Sequence, residues 1–272
     1  MKRFAKILSV STVCVGVSAG AAMADKLDDI IAAGVLRCAV MLDFAPMGFR
    51  NEAHEPVGFD VDTCNDLAAA LGVTAEIVET PLIDRIPALL SGRADVAVAS
   101  ASDTLERAKT IGFTVPYFAF TSVILARSDA GITTYDDLKG KVVGTPAGSA
   151  EGIALQADVT QWTADGSGGE YKGFQSQADT YLAMSQGQIV ATVLPSTLAA
   201  AAVEQNPGFT VVGDAPYVID YVGLMAPRGE YGLLNYLDLF INQQVRTGRY
   251  DELYRQWIGG EPASLTVPNV YR

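Results

Sequence analysis

Histidine is nearly absent: among 272 residues there is one, His54, in the polar turn "NEAHEP". A single exposed histidine excludes a His-rich metal centre and argues against a Ser-His-Asp triad. Cysteine is also scarce, at three residues. Cys14 lies in the N-terminal apolar stretch, Cys38 inside an apolar strand pattern and Cys64 on the apolar face of a helix pattern. With no histidine near either thiol in sequence, neither reads as a nucleophile. The sequence does not supply the Cα spacing that a bridge requires, so Cys38 and Cys64 are read as two buried core thiols. Basic residues are few, 19 against 31 acidic, for a net charge of −12. That charge repels phosphate backbones and anionic lipid, which excludes nucleic acid as a partner class. Beyond the N-terminus no apolar run reaches the roughly 20 residues a membrane-spanning helix needs.

What is present begins with a leader. Lys2, Arg3 and Lys6 precede an apolar stretch from Ile7 to about Ala21, followed by Ala22-Met23-Ala24. A basic segment, an apolar segment and a small-x-small site describe a secretory signal peptide, cleaved after Ala24. The expected location is the periplasm, where a disulfide is chemically permitted. The remaining chain, about 250 residues, suits two domains.

Strand and helix patterns alternate along it. "GVLRCAVML", "AEIVET" and "ADVAVAS" read as strands, with "DVDTCNDLAAALGV" and "PLIDRIPALLSGR" as helices between them and "DFAPMGFRNEAHEPVGFD" as a turn-rich hairpin. A second set follows: strands "TSVILAR", "KVVGT", "EYKGF", "IVATVL" and "FTVVG" alternate with helices opened by "PAGSAEG", "ADTYL" and "PSTLA". A strand in "APYVIDYVGLMAPRG" and two helices close the chain. Such alternation predicts a parallel α/β layered fold.

Several segments, in order, carry a resemblance. "VGFDVDTCNDLAAALGV" is similar to a Gly-aromatic-Asp-aliphatic-Asp signature ahead of a first helix, with Thr63 in place of the usual aliphatic. "SASDTLERAKTIGFTVPYF" is similar to a segment in which an Arg precedes a Phe-Thr-x-Pro-Tyr run, "DDLKGKVVGTPAGS" to the start of a second domain, and "GRYDELYRQWIGG" to a C-terminal end. Together these resemble the family 3 solute-binding proteins, the periplasmic receptors of polar amino acid ABC transporters. The resemblance implies a two-lobe periplasmic binding protein type II fold. Each lobe is a mixed sheet flanked by helices, and two crossover strands near 119–122 and 216–221 join them. Lobe 1 then comprises 25–120 and 218–272, and lobe 2 comprises 121–217. It further implies a monomer that binds a small carboxylate-bearing solute between the lobes, delivers it to an inner-membrane ABC permease, and has no enzymatic activity, cofactor or metal.

By the same resemblance Arg107 and Ser102 grip the solute's carboxylate, with Ser100 adding a side-chain or carbonyl contact. A guanidinium fork matches a carboxylate with two charge-assisted bonds; taken without the surrounding motif, Arg107 reads instead as a solvated partner of Asp103 or Glu106. Ser149 and the Ala150 N–H stand at a helix N-terminus, a ready anion seat, although Ser149 is also a plain N-cap. Phe44 holds the place of a ring that packs on the solute. The departure is at "GQIVATVLPSTLA": Pro195 stands where the family carries the carboxylate that pairs with an α-ammonium. Either Asp43 substitutes, or the solute lacks an ordinary α-ammonium; the latter is the expectation. Periplasmic cyclohexadienyl dehydratases share the fold and supply an alternative, as does an orphan solute sensor. The sequence shows no cleft acid suited to such a dehydratase.

Overall fold

The computed structural model describes residues 25–262 and Leu265; the expected leader, its cleavage point and most of the C-terminal tail assigned to lobe 1 lie outside the described residues. Helix α1 (Lys26–Ala33) leads into β1 (Val35–Val40) and a small antiparallel sheet of β2 (Asp43–Phe44), β3 (Gly48–Arg50) and β4 (Pro56–Val57). Next come α2 (Phe59–Leu71), β5 (Thr74–Glu79), a 3₁₀ turn (Leu82–Asp84), α3 (Arg85–Leu90), β6 (Val96–Ser102), α4 (Leu105–Ala108) and β7 (Ile111–Phe120). The chain then builds a second unit from β8 (Ser122–Arg127), a 3₁₀ turn (Tyr135–Leu138), β9 (Val142–Pro146), α5 (Ala150–Ala164), β10 (Glu170–Phe174), α6 (Gln177–Ser185), β11 (Ala191–Pro195), α7 (Ser196–Gln205) and β12 (Phe209–Asp214). It returns through β13 (Asp220–Pro227) and ends in α8 (Tyr231–Thr247) and α9 (Arg249–Trp257).

Two five-stranded sheets result, ordered β5-β1-β6-β13-β7 and β10-β9-β11-β8-β12. Each is mixed rather than parallel as alternation predicted. β13 runs antiparallel to β6 and β7, and β8 antiparallel to β11 and β12. Both exceptions belong to strands next to the two links between sheets. β7 ends one residue before β8 begins, and β13 starts by pairing Asp220 with Phe120. Strand β7 is absent from the pattern reading because Pro116 interrupts it. The structure accommodates Pro116 at a register shift opposite Gly223, where the Thr114 hydroxyl accepts the Leu224 N–H that the ladder leaves free.

Apolar side chains cover both faces of each sheet. In the first sheet Leu36, Cys38, Val96 and Val98 pack under α2, α8 and α9, while Ala97, Ala99 and Met225 pack against α3. Cys38 and Cys64 are not two thiols but a disulfide. The packing of α2 on β1 brings their Cα atoms to 6.3 Å, within bonding range.

The first signature now has a physical explanation. Gly58 takes φ 127°, and a Cβ there would lie 2.4 Å from the Met47 carbonyl oxygen, so no side chain fits. Asp60 is fully buried and accepts hydrogen bonds from the Tyr117 hydroxyl (2.7 Å) and the Ser100 hydroxyl (3.1 Å). Asp62 accepts from the indole N–H of Trp257 at 2.8 Å, which ties α2 to the C-terminal helix. Among the described residues no helix is long and apolar enough to cross a membrane.

Candidate ligand-binding cleft

The strand ends of the two sheets face a cavity of about 40 Å³. From the first lobe it is lined by Asp43, Phe44, Arg85, Ser100, Ser102, Phe120 and Asp220; from the second by Pro146, Ser149, Ala150, Glu151, Gln177 and Pro195, among others. Seven of the eight residues singled out by sequence therefore meet here. The eighth, Arg107, lines an adjoining groove between the lobes, where Nη1 donates to the Ser102 carbonyl (3.1 Å) and Nη2 to the Gly148 carbonyl (2.7 Å). Arg107 thus bridges the first lobe to the turn that opens α5 in the second.

Each side chain is held by a local cause. Ser149 is the N-cap of α5: its hydroxyl accepts the Gly152 N–H at 3.0 Å and donates to the Pro146 carbonyl at 2.9 Å. The Ala150 N–H is left without a protein acceptor among the described residues, as a first-turn N–H is by construction. Ser100 adopts a left-handed φ of 47°, unusual for a residue with a Cβ. Three contacts hold it there: its N–H donates to the Tyr117 hydroxyl, its hydroxyl donates to Asp60, and its carbonyl accepts from Arg85. Phe44 packs edge-on to Phe120 and also touches the apolar cluster of the second lobe. Pro195 is the last residue of β11 and the N-cap of α7, one step earlier than the first-turn position its sequence suggests.

The electrostatics differ from what Pro195 implied. Glu151 and Asp220, neither anticipated as a ligand group, join Asp43 as carboxylates on the cavity wall. Burial pushes Glu151 up to about 7, helped by the nearby Asp220 charge and opposed by its own backbone N–H, by Ser122 and by Arg107. Burial likewise raises Asp220 to about 6, against a hydrogen bond from the Ser102 hydroxyl (2.9 Å) and the Arg107 charge. Asp43 stands exposed at the rim of the cavity, where partial desolvation raises it, and its electrostatic neighbours are Glu79, Arg85 and Asp179. Arg85 is buried, which lowers it to about 10, and its guanidinium donates to the carbonyls of Leu82, Ala99 and Ser100. Asp60, beneath the floor, is raised to about 7 by burial. Pro195 therefore does not leave the cleft short of acids. Beside Asp43, the acid expected to substitute, the fold carries Asp220 in from the return strand and Glu151 from the first turn of α5.

A two-lobe α/β architecture, a cleft at the strand ends, and a signature Asp locked beneath it can be set beside known proteins. The sequence matches the bacterial extracellular solute-binding proteins, family 3, over residues 36–260. This chain belongs to that family. It is 26% identical over 228 residues to the ABC transporter glutamine-binding protein GlnH of Bacillus subtilis, covering 82% of this chain and 81% of that one. Among solved structures it is similar to a mutant of the arginine-binding protein ArgBP from T. maritima. The TM-score is 0.77 with 30% identity, over 86% of this chain and 100% of that chain. It is also similar to an ancestral amino acid-binding protein described as a precursor of cyclohexadienyl dehydratase, with TM-score 0.75 and 28% identity, over 85% and 99% of the two chains.

Ser100 has its hydroxyl and carbonyl committed to the framework, so it shapes the floor of the cleft. Ser102 donates to Asp220, so its hydroxyl proton is committed and its oxygen keeps acceptor capacity. The second-lobe acid was visible in "GSAEG" as part of a helix start, but nothing in the local sequence marks Asp220 within "YVIDY".

Proposed function

We propose that this protein is the periplasmic binding component of an ABC uptake system for a small amino acid or amino acid derivative, carrying out no chemistry of its own. The observation that carries this reading is the presence of opposite charges around the interlobe cleft. The Ala150 N–H lines the same cavity as Glu151 and Asp220, and Arg107, in the adjoining groove, carries a charge that acts on both acids. A zwitterion presents a carboxylate to the two donors and an ammonium to the two acids. A buried ammonium without a partner costs several kcal/mol, so the acids favour solutes that carry one. The groups come from both lobes. A solute that touches all of them stabilises the closed arrangement and shifts the population toward it, which is the signal a permease reads.

The test is a thermal-shift and calorimetric titration of the twenty amino acids beside simple organic acids and N-methylated analogues. Standard amino acids are expected to bind and organic acids lacking an amine to bind at least about tenfold more weakly. Preference for the amine-free acids would overturn the assignment of Glu151 and Asp220.

One observation favours a second reading. A cleft carboxyl held near neutrality, Glu151, is the kind of group that serves as a general acid, and one structural relative is described as a dehydratase precursor. Turnover assays with prephenate and arogenate separate the two. Receptor function predicts none.

A further inference from the structure

One strand of the cleft floor does not pair evenly. β13 pairs Gly223 with Ala101 and Met225 with Ala97, so between those pairs Val98, Ala99 and Ser100 of β6 face Leu224 alone. Bulges of this kind re-aim the side chains around them. Ser100 closes the bulge and Ser102 follows it, and both stand on the cavity wall. The bulge carries strain. Among the described residues, His54 and Ser100 are the non-glycine residues with positive φ. His54 lies in an exposed turn, whereas Ser100 is buried inside a strand at φ 47°. Such a conformation persists only where the surrounding bonds over-determine it.

The backbone groups of the bulge are taken by side chains. The Tyr117 hydroxyl accepts the Ser100 N–H at 2.9 Å. Arg85 Nη1 donates to the Ala99 carbonyl at 2.7 Å and to the Ser100 carbonyl at 3.1 Å. Asp60, fully buried, closes the set. Its Oδ1 accepts from the Tyr117 hydroxyl at 2.7 Å and its Oδ2 from the Ser100 hydroxyl at 3.1 Å. Each carboxylate oxygen thus has its own hydroxyl donor, and both donors bear on Ser100. Arg85 lines the cavity, but Asp60 and Tyr117 stand outside its lining.

Resting on the receptor reading, we propose that Asp60 and Tyr117 are positioning residues for solute binding, which act by holding Ser100 in its left-handed conformation. With both holds in place, the bulge presents Ser100, Ser102 and the Arg85 guanidinium to the cavity in one arrangement, and ordering that wall takes nothing from the affinity. Release of Ser100 toward negative φ turns the carbonyl on which Arg85 rests and carries Ser102 with it.

Two substitutions separate holding from packing. Asp60→Asn keeps the shape but offers one carbonyl oxygen where two hydroxyls each need an acceptor. Ser100→Gly removes one of those hydroxyls and lets position 100 take positive φ without a Cβ. The test is calorimetry on the full chain with whichever of the twenty standard amino acids wild type binds most tightly, using wild type, Asp60→Asn, Ser100→Gly and the double variant. Asp60→Asn is expected to weaken binding about tenfold or more, the worth of one satisfied bond. With Ser100→Gly as its own reference, the same substitution should cost less than about threefold. A loss of equal size in both backgrounds, or none in the folded Asp60→Asn protein, overturns the proposal and leaves the receptor reading standing. Should Asp60→Asn fail to fold, Tyr117→Phe, which takes the acceptor from the Ser100 N–H, should weaken binding by a similar factor; unchanged affinity overturns the proposal. Crystal structures of solute-free wild type and of whichever variant folds supply a readout that needs no solute. Ser100 is expected at positive φ in the first and outside that region in the second, and a variant that keeps the wild-type φ overturns the holding role. A wild type that binds no amino acid overturns the receptor reading, while the crystal structures still decide whether Asp60 and Tyr117 hold Ser100.

Discussion

Replacing Glu151 by Gln should change how stability depends on pH. Burial raises the Glu151 carboxyl from its ordinary 4.5 to about 7 in the folded chain, and the Asp220 charge adds to the rise. Between those values the folded protein holds a proton that the unfolded chain has lost. The carboxyl's contribution is therefore fully present below pH 4.5 and is lost as pH rises through 7. At 1.36 kcal/mol per pKa unit the whole window amounts to about 3 kcal/mol. Gln keeps the shape, and its carbonyl still accepts from the Ser122 hydroxyl, which donates to Glu151 Oε1 at 3.3 Å, but it does not titrate. The stability difference, Glu151→Gln minus wild type, should grow by about 3 kcal/mol between pH 4.5 and pH 8. For a chain of this size that is a relative shift in Tm of roughly 6–12 °C. Urea unfolding or calorimetry at four pH values on solute-free protein measures it. The difference isolates this site from Asp60, which burial also raises, and from Asp95. In Asp95 the raising effect of burial is outweighed by hydrogen bonds from Arg37 and Lys26. A solute ammonium seated on Glu151 favours the anion, so saturating amino acid should flatten the wild-type slope. A stability difference that stays constant across the range refutes the assignment of Glu151 as a buried, proton-holding cleft group.

Three further outcomes are expected. Replacing Cys38 and Cys64 together by Ala opens a loop of sequence separation 26, which the chain-entropy relation values at about 3.5 kcal/mol; unfolding of the oxidised wild type against the variant measures it, and equal stability counts against the bridge. Arg107→Ala removes the interlobe bond to the Gly148 carbonyl and the proposed carboxylate partner, and should weaken solute binding about 100-fold by calorimetry, since each charged bond is worth roughly 1.5–3 kcal/mol. Trp257→Phe deletes the indole N–H donated to Asp62 and should cost about 1.5–3 kcal/mol in denaturant unfolding with little effect on solute affinity; a large affinity loss with stability unchanged would contradict a purely structural role.

Much of the architecture was legible in the chain itself, because it rests on short-range rules. Apolar periodicity marked β1, α2, β6 and the helices of the second unit, and Ser149 and Gly72 mark helix ends through bonds to nearby backbone. The scarcity of histidine, the acidic balance and the ordered motifs pointed to a binding protein rather than a metal or nucleic-acid protein. The candidate cleft residues Asp43, Ser102, Ser149 and Pro195 came from the family resemblance, and the structure places them at strand or helix ends. What the tertiary structure alone decided depends on residues far apart in sequence. The Cys38–Cys64 bond follows from α2 lying across β1. The mixed sheets follow from strands that leave one lobe and return to it. Asp220 reaches Ser102 across a sequence separation of 118, and Glu151 shares its cavity only because the second lobe folds against the first. Local sequence sets backbone preference and burial pattern, but which charges share a low-dielectric cavity, and so which protons and solutes they hold, is settled by the chain crossing between lobes.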